Sequence, residues 1–411
     1  MAEQKPKFRR VRALAEENAQ LEKERGEQRA ARRARRMRRL FGLGIFVAVA
    51  ATAAVMLVIS LGQVRCSGLW DAAMLLGRQG QGFPIPNGYG SVRQAELLGG
   101  ELVLLGPTSL DIYTQSAYRS MSQPQSLAAP AMLAAHGRVL LFDRGSGNFT
   151  LLSRSAELYS KNLDQRLLCM DINARGDVAA ATLSEVGASE VRVWNARQKE
   201  RFAWRCEKEY AAAVKLAPNG RELAACLTGT RQAGVYARFV HFTFGAAAPD
   251  IDLAFDDTWL YRAEPLKGGG WLLLGDQAIY IVRKDGSWEI CSYDGRALQY
   301  FAAEPNGGAA VLLQDWDQNG SLLRLYDRTG ALLAEHSFSA LAQSLDCRGG
   351  RVYLRFGDYL YCRQKDGAFV RSQRLPEGLQ EVLAGGSRLT VLTVGSVEQI
   401  KAEWEEADVK F

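Results

Sequence analysis

A glycine-centred turn followed at once by a short apolar run recurs from residue 91 to residue 404, with a spacing of about 40 residues. The turns are Gly99-Gly100, His136-Gly137, Arg175-Gly176, Asn219-Gly220, Gly268-Gly269, Gly307-Gly308, Gly349-Gly350 and Gly385-Gly386. The runs behind them, such as residues 102–105, 139–142, 271–274 and 389–393, are too short for helices and rich in Leu and Val. Most units then offer a second β-branched or aromatic segment, as at 191–194, 279–282 and 322–326. Asp-Gly pairs such as Asp285-Gly286 and Asp366-Gly367 supply the positive φ that tight hairpins need.

Short strands at this period predict an all-β fold, a β-propeller of eight blades, with seven as the alternative. A flat stack of such hairpins would expose long edges, whereas radial closure protects them. The last unit, 378–404, lacks a fourth strand of its own. The extended piece Phe83-Pro84-Ile85-Pro86 is expected to supply it and to close the ring from the start of the chain. Proline suits that outermost position, because an edge strand need not donate every N–H.

The run from Leu40 to Leu61 carries no charge. As a helix it would rise about 33 Å, against roughly 30 Å of bilayer hydrocarbon. It is too long for the apolar part of a signal peptide, so an uncleaved anchor is expected over 40–62. Residues 1–39 form a basic, helix-favouring tail with fourteen Lys/Arg against six Asp/Glu. Arg32, Arg33, Arg35, Arg36, Arg38 and Arg39 crowd the near end of the run, which places the tail in the cytoplasm and residues beyond about 63 outside. The same arginines can attract anionic lipid. The remainder is close to neutral, which argues against nucleic-acid binding by the large part. The domains expected are thus a tail (1–39), a transmembrane helix (40–62), a glycine-rich connector (63–90) and the propeller (91–411).

Chemistry-bearing residues are sparse. The seven cysteines show no metal-ligand spacing and read as buried free thiols; Cys66, just past the anchor, is the one that could pair with its copy in a dimer. His136, His241 and His336 fall in different units, against a triad or a histidine metal centre. Asp315, Asp317 and Asn319 open a D-x-D-x-N-G stretch like a calcium loop, but its twelfth position is Tyr326, and a hairpin turn is the stronger reading. Asp250, Asp252, Asp256 and Asp257 read as a solvated acidic loop. Gly268-Gly-Gly270 precedes a strand, not a helix, so it makes no phosphate cradle.

Units such as Val191-Arg-Val-Trp194-Asn195 and Leu325-Tyr-Asp-Arg-Thr-Gly330 resemble the strand–turn pieces of WD40-like and quinoprotein-like propellers. The full plan, with basic tail, anchor, Gly82-Phe83-Pro84 connector and propeller, resembles an uncharacterised bacterial family of membrane proteins. That resemblance implies a domain of unknown function and supplies no catalytic residues. No cofactor is expected beyond the weak calcium candidate. The reading favours a binding or scaffolding module of the cell envelope with a protein partner over an enzyme. Its alternative is a sensor or enzyme that takes a small ligand or Ca²⁺ in the central channel.

Overall fold

The computed structural model describes residues 37, 42–52, 56, 63–88, 92–232, 234–304, 308–314, 320–363, 369–385 and 387–406. The chain divides into two compact units, Met1–Gly62 and Gln63–Phe411. In the first, 42–52 are helical. The rest of the expected anchor, apart from Met56, and the arginine cluster 32–39, apart from Met37, lie outside the described residues. Among those residues no helix is long and apolar enough to cross a membrane.

The second unit contains eight antiparallel sheets in a ring, so the seven-blade alternative falls. Each blade runs from an inner strand at the channel to an outer one at the rim. Blades 1 to 7 span residues 94–124, 130–162, 167–206, 210–256, 260–292, 297–338 and 344–374. Each glycine turn read from the sequence whose residues are all described joins the innermost strand of a blade to the second. Blade 4 is long because its central hairpin, Glu222–Arg231 with Gly234–Thr243, extends to ten residues a side. The short strand Glu405–Glu406 adds a fifth strand to blade 7.

Blade 8 takes three strands from 379–401 and its outermost from Ile85–Pro86, with Ile85 opposite Val397 and Pro86 opposite Ser396. The expected closure by the Phe83–Pro86 piece is therefore present. Phe83 and Ile85 pack on the apolar cluster between blades 8 and 1, with Leu97, Leu102, Leu104, Leu392 and Val397. Comparable clusters fill the other seven gaps between neighbouring blades. Middle strands are buried on both faces, which is why residues 102–105 and 271–274 read as unbroken apolar runs. Rim strands such as Arg119–Pro124 alternate toward solvent.

The expected connector opens instead with a 13-residue helix, α1 (Gln63–Leu75), docked on the ring. Its low glycine content over 69–76 and its Leu, Ala and Met residues suit a helix; the glycine-rich part begins only at Gly77. Val64 is 2% exposed and enters the cluster between blades 2 and 3 with Phe149 and Trp194. Arg138 donates from Nη2 (2.6 Å) and Nε (3.2 Å) to the Val64 carbonyl. At Gly176 a Cβ would lie 2.4 Å from Val64 Cγ1, so only glycine admits the helix here. Asp71, fully buried, accepts from the hydroxyls of Ser153 (2.8 Å) and Ser155 (2.6 Å) and from the backbone N–H of Arg154 and Ser155. Arg154 Nε stands 3.6 Å from the same carboxylate.

The docked helix also buries Cys66, against the expectation that its thiol could reach a second copy. The remaining cysteines form no disulfide and are buried or half-buried, as expected of structural thiols. Asp71→Ala removes the shared acceptor of four donors and leaves Arg154 with Glu101 alone, at a cost of about 3 kcal/mol. Thiol labelling of native protein checks this: Cys66 is expected to be protected in the wild type and to react readily in the variant.

Candidate functional site

Two regions gather polar and aromatic groups: the channel lined by the inner strands, and a cleft at its mouth between blades 5 and 6. In the channel, each inner strand has one edge without a neighbouring strand, so its backbone groups need other partners. Side chains from the preceding blade supply them. Gln94 grips both polar groups of Met132, accepting from its N–H (3.2 Å) and donating to its carbonyl (3.0 Å). Glu96 accepts from Ala134 N–H (2.8 Å), and Asp171 from Leu216 N–H (2.8 Å). Gln299 donates to the Ala342 carbonyl (2.9 Å). The polar residues of the inner strands thus join blade to blade.

Ionic contacts extend this lining. Lys215 Nζ sits between Asp171 (3.6 Å) and Glu264 (3.5 Å). Burial raises the Asp171 carboxyl, and Lys215 opposes the shift. Glu381, on the inner strand of blade 8, is wetted by the channel yet surrounded by protein. Desolvation, with the nearby charges of Glu96 and Asp346, lifts its carboxyl to about 7. Glu96 is also raised by burial, against its hydrogen bonds to Ala134 and Gln94.

The cleft lies on the face that carries the links between blades and the turns between second and third strands. Its cavity is about 870 Å³, lined by Asp257, Tyr261, Asp276, Arg296, Tyr300 and Phe301 among others. Asp276 Oδ1 accepts from Thr258 Oγ1 (2.6 Å) and Trp259 N–H (2.9 Å). That carboxylate thereby fixes the link that carries Trp259 and leads into the strand of Tyr261. Both rings are exposed, as is Tyr300 on blade 6, while Leu260 between the first two is buried. Asp257 and Asp294, at the ends of the two links that frame the cleft, hold positive φ values of 54° and 55°. A pocket of acid groups and open aromatic faces suits a partner that brings cationic side chains and flat apolar surface.

The residues singled out in the sequence do not converge. Asp315, Asp317 and Asn319 lie outside the described residues. Among the described residues no group of His, Cys, Asp and Glu could hold a metal ion. His136, His241 and His336 stand in blades 2, 4 and 6. Burial lowers His136 and His336, and His241 lies 3.5 Å from both Glu222 and Asp250. The expected acidic loop is instead largely the outer strand of blade 4, Ile251–Asp256, and is paired: Asp252 takes Arg238 through two bonds of 2.7 Å, and Asp256 takes Arg231 at 3.0 Å. Cys206 donates to buried Glu209 (2.8 Å), and burial with that carboxylate pushes its thiol up to about 11, so it stays protonated at neutral pH. The aromatic cleft went unnoticed in the sequence. Its one signal was Trp259-Leu-Tyr261 beside two aspartates, two aromatic residues flanking the start of an inner strand.

Glu381 gives the site a pH signature. Its folded value lies above the unfolded 4.5, so the protonated form is the one the fold favours. The contribution is intact below about pH 4.5 and is lost as pH rises through about 7. Thermal unfolding at pH 5 and pH 8 is expected to show a drop in Tm for the wild type that Glu381→Gln reduces.

Solved structures with the same architecture share little sequence. The C-terminal WD40 domain of Sif2 superposes with a TM-score of 0.56 at 12% identity, covering 78% of this chain and 97% of that one. Saccharomyces cerevisiae Sqt1 gives 0.54 at 9% identity, covering 77% and 98%. The dihydro-heme d1 dehydrogenase NirN gives 0.53 at 14% identity, covering 77% and 74%. At such identities the likeness is one of fold. No curated protein matches the chain by sequence. The model of a family of unknown function, DUF5711, matches residues 88–402, from just past the closing strand to the end of blade 8, and the chain belongs to that family.

Proposed function

We propose that this protein is a membrane-anchored, extracytoplasmic propeller that binds and positions a protein partner in the cell envelope. The observation that carries the binding role is the aromatic–acidic cleft of Tyr261, Tyr300 and Phe301 with Asp257 and Asp276, beside which Trp259 stands exposed on the adjoining link. Large apolar rings left open to water beside carboxylates are typical of contact surfaces, not of a monomer's resting exterior. The anchor rests on the uncharged run 40–61 and the arginines before it. The partner expected at the cleft is a protein segment bearing Lys or Arg.

A second reading, small-ligand sensing in the channel, is favoured by one observation: Glu381 titrates near neutral pH beside Glu96 and Asp346. A ligand that neutralises this group would raise Tm in a thermal-shift screen.

Crosslinking in intact membranes tests the main proposal. The wild type is expected to capture a reproducible partner at high yield, and the triple change Trp259→Ala, Tyr261→Ala, Tyr300→Ala to lower that yield at least about tenfold. Protease added to intact cells is expected to cut the 63–411 unit and spare the arginine-rich tail. Undiminished capture by the triple variant, or a protected 63–411 unit, contradicts the proposal.

A further inference from the structure

The two faces of the ring carry opposite charge. Turns between first and second strands, and between third and fourth, share one face; there Arg175, Arg197, Lys199, Arg221, Lys267 and Lys284 are exposed. The opposite face displays Asp164, Glu185, Glu207, Asp257, Asp276 and Asp294. The near-neutral sum over the 63–411 unit conceals this polarity.

On the basic face, the first turns of blades 7 and 8 frame an open groove. Arg348, Arg351, Arg388 and Lys401 line it, over a floor that includes Phe83 and Trp404. Among the described residues, Arg348, Arg351 and Arg388 form no ion pair with a carboxylate. Arg388 reaches Gln399 at 3.4 Å, and Lys401 has only the exposed Glu403 at 3.9 Å. Glu96 attracts Arg348 and Glu403 attracts Lys401, but cations grouped with so few ion-pair partners repel one another, an arrangement that an anion would relieve.

Helix α1 lies on the same face, against the first turns of blades 2 and 3 and the outer turn of blade 2. Its buried side holds Val64, Cys66 and Asp71. Its outward side leaves Leu69 67%, Trp70 58% and Met74 50% exposed, and Leu76 follows at 83%. No described element covers these residues. The chain enters α1 at Gln63, two residues after the uncharged run ends.

We propose that this face docks on an anionic lipid surface, with lipid phosphates in the groove of Arg348, Arg351, Arg388 and Lys401 and with Trp70, Leu69 and Met74 at the level of the headgroups. Trp is suited to that depth, and cations near an acidic bilayer each strengthen attachment. The proposal shares with the anchor reading the idea of a nearby membrane, but the contact it describes needs no anchor. The acidic face and its aromatic cleft then point away from the lipid, toward a partner.

The 63–411 unit holds every strand of the ring, its closure and α1, so it serves without the anchor. It is mixed with vesicles of phosphatidylcholine alone, or with roughly one third phosphatidylglycerol, and scored by co-flotation and Trp70 fluorescence. Expected are binding to the anionic vesicles only, a blue shift that Trp70→Phe removes, and release as salt shortens the Debye length. Arg348→Gln with Arg388→Gln is expected to weaken binding about 30-fold. The pair Arg144→Gln and Arg166→Gln, on the opposite face, is expected to change nothing. Equal binding to both vesicles, salt-independent binding, or an unaffected groove variant overturns the proposal. Capture of soluble pyrophosphate with no vesicle binding overturns it as well. Because the anchor is absent from this assay, a failure here leaves the anchor reading standing.

Discussion

The closing pair, Ile85 against Val397, is the contact on which the ring depends. A blade cannot cover its own two apolar faces; each face needs a neighbour. Eight blades meet that need only if the last one touches the first, and the gap between blades 8 and 1 is filled from both ends of the chain by Phe83, Ile85, Leu102, Leu104, Leu392 and Val397. Tying the start of the unit into its last sheet turns a string of local hairpins into one cooperative body. The strap that leads there, residues 76–84, continues directly from α1, so closure and helix docking are mechanically one device.

That device gives the ring a direction. α1 and its Asp71 clamp occupy the basic face, while the aromatic cleft opens on the acidic one. The inner-strand polar groups between them are mostly spoken for: Gln94, Glu96 and Asp171 satisfy backbone atoms of the next blade, and Gln299 those of the link leading to it. Their first role is architectural, and Glu381 stands apart because it carries a charge that its surroundings resist. A scaffold with a chemically distinct floor and roof follows from this arrangement more readily than a channel built for turnover.

The second and third strands of each blade were legible in the sequence because burial on both faces leaves an unbroken apolar run, as at 139–142 or 279–282. The inner strands were not, because channel lining and blade-to-blade hydrogen bonds interrupt their pattern with residues such as Gln94, Asp171 and Arg262. Closure could be read from two prolines and a missing strand. Helix α1 was missed because its contacts are long-range: nothing near Asp71 in sequence announces Ser153 and Ser155, and its apolar residues lie on both the buried and the open side. The cleft was missed for a similar reason, since Tyr261 and Tyr300 line one cavity only when blades 5 and 6 stand side by side. Face polarity is invisible to net charge and appears once each turn is assigned to its side of the ring.

Hydrogen exchange of the 63–411 unit, comparing wild type with Ile85→Lys, tests the central claim most directly. If the ring closes through this strand, the charge is expected to raise exchange on both sides of one gap, at 388–401 and at 94–105, and to leave blades 3 to 5 nearly unchanged under native conditions. Unaltered protection at 388–401 and 94–105 would contradict closure by the start of the chain.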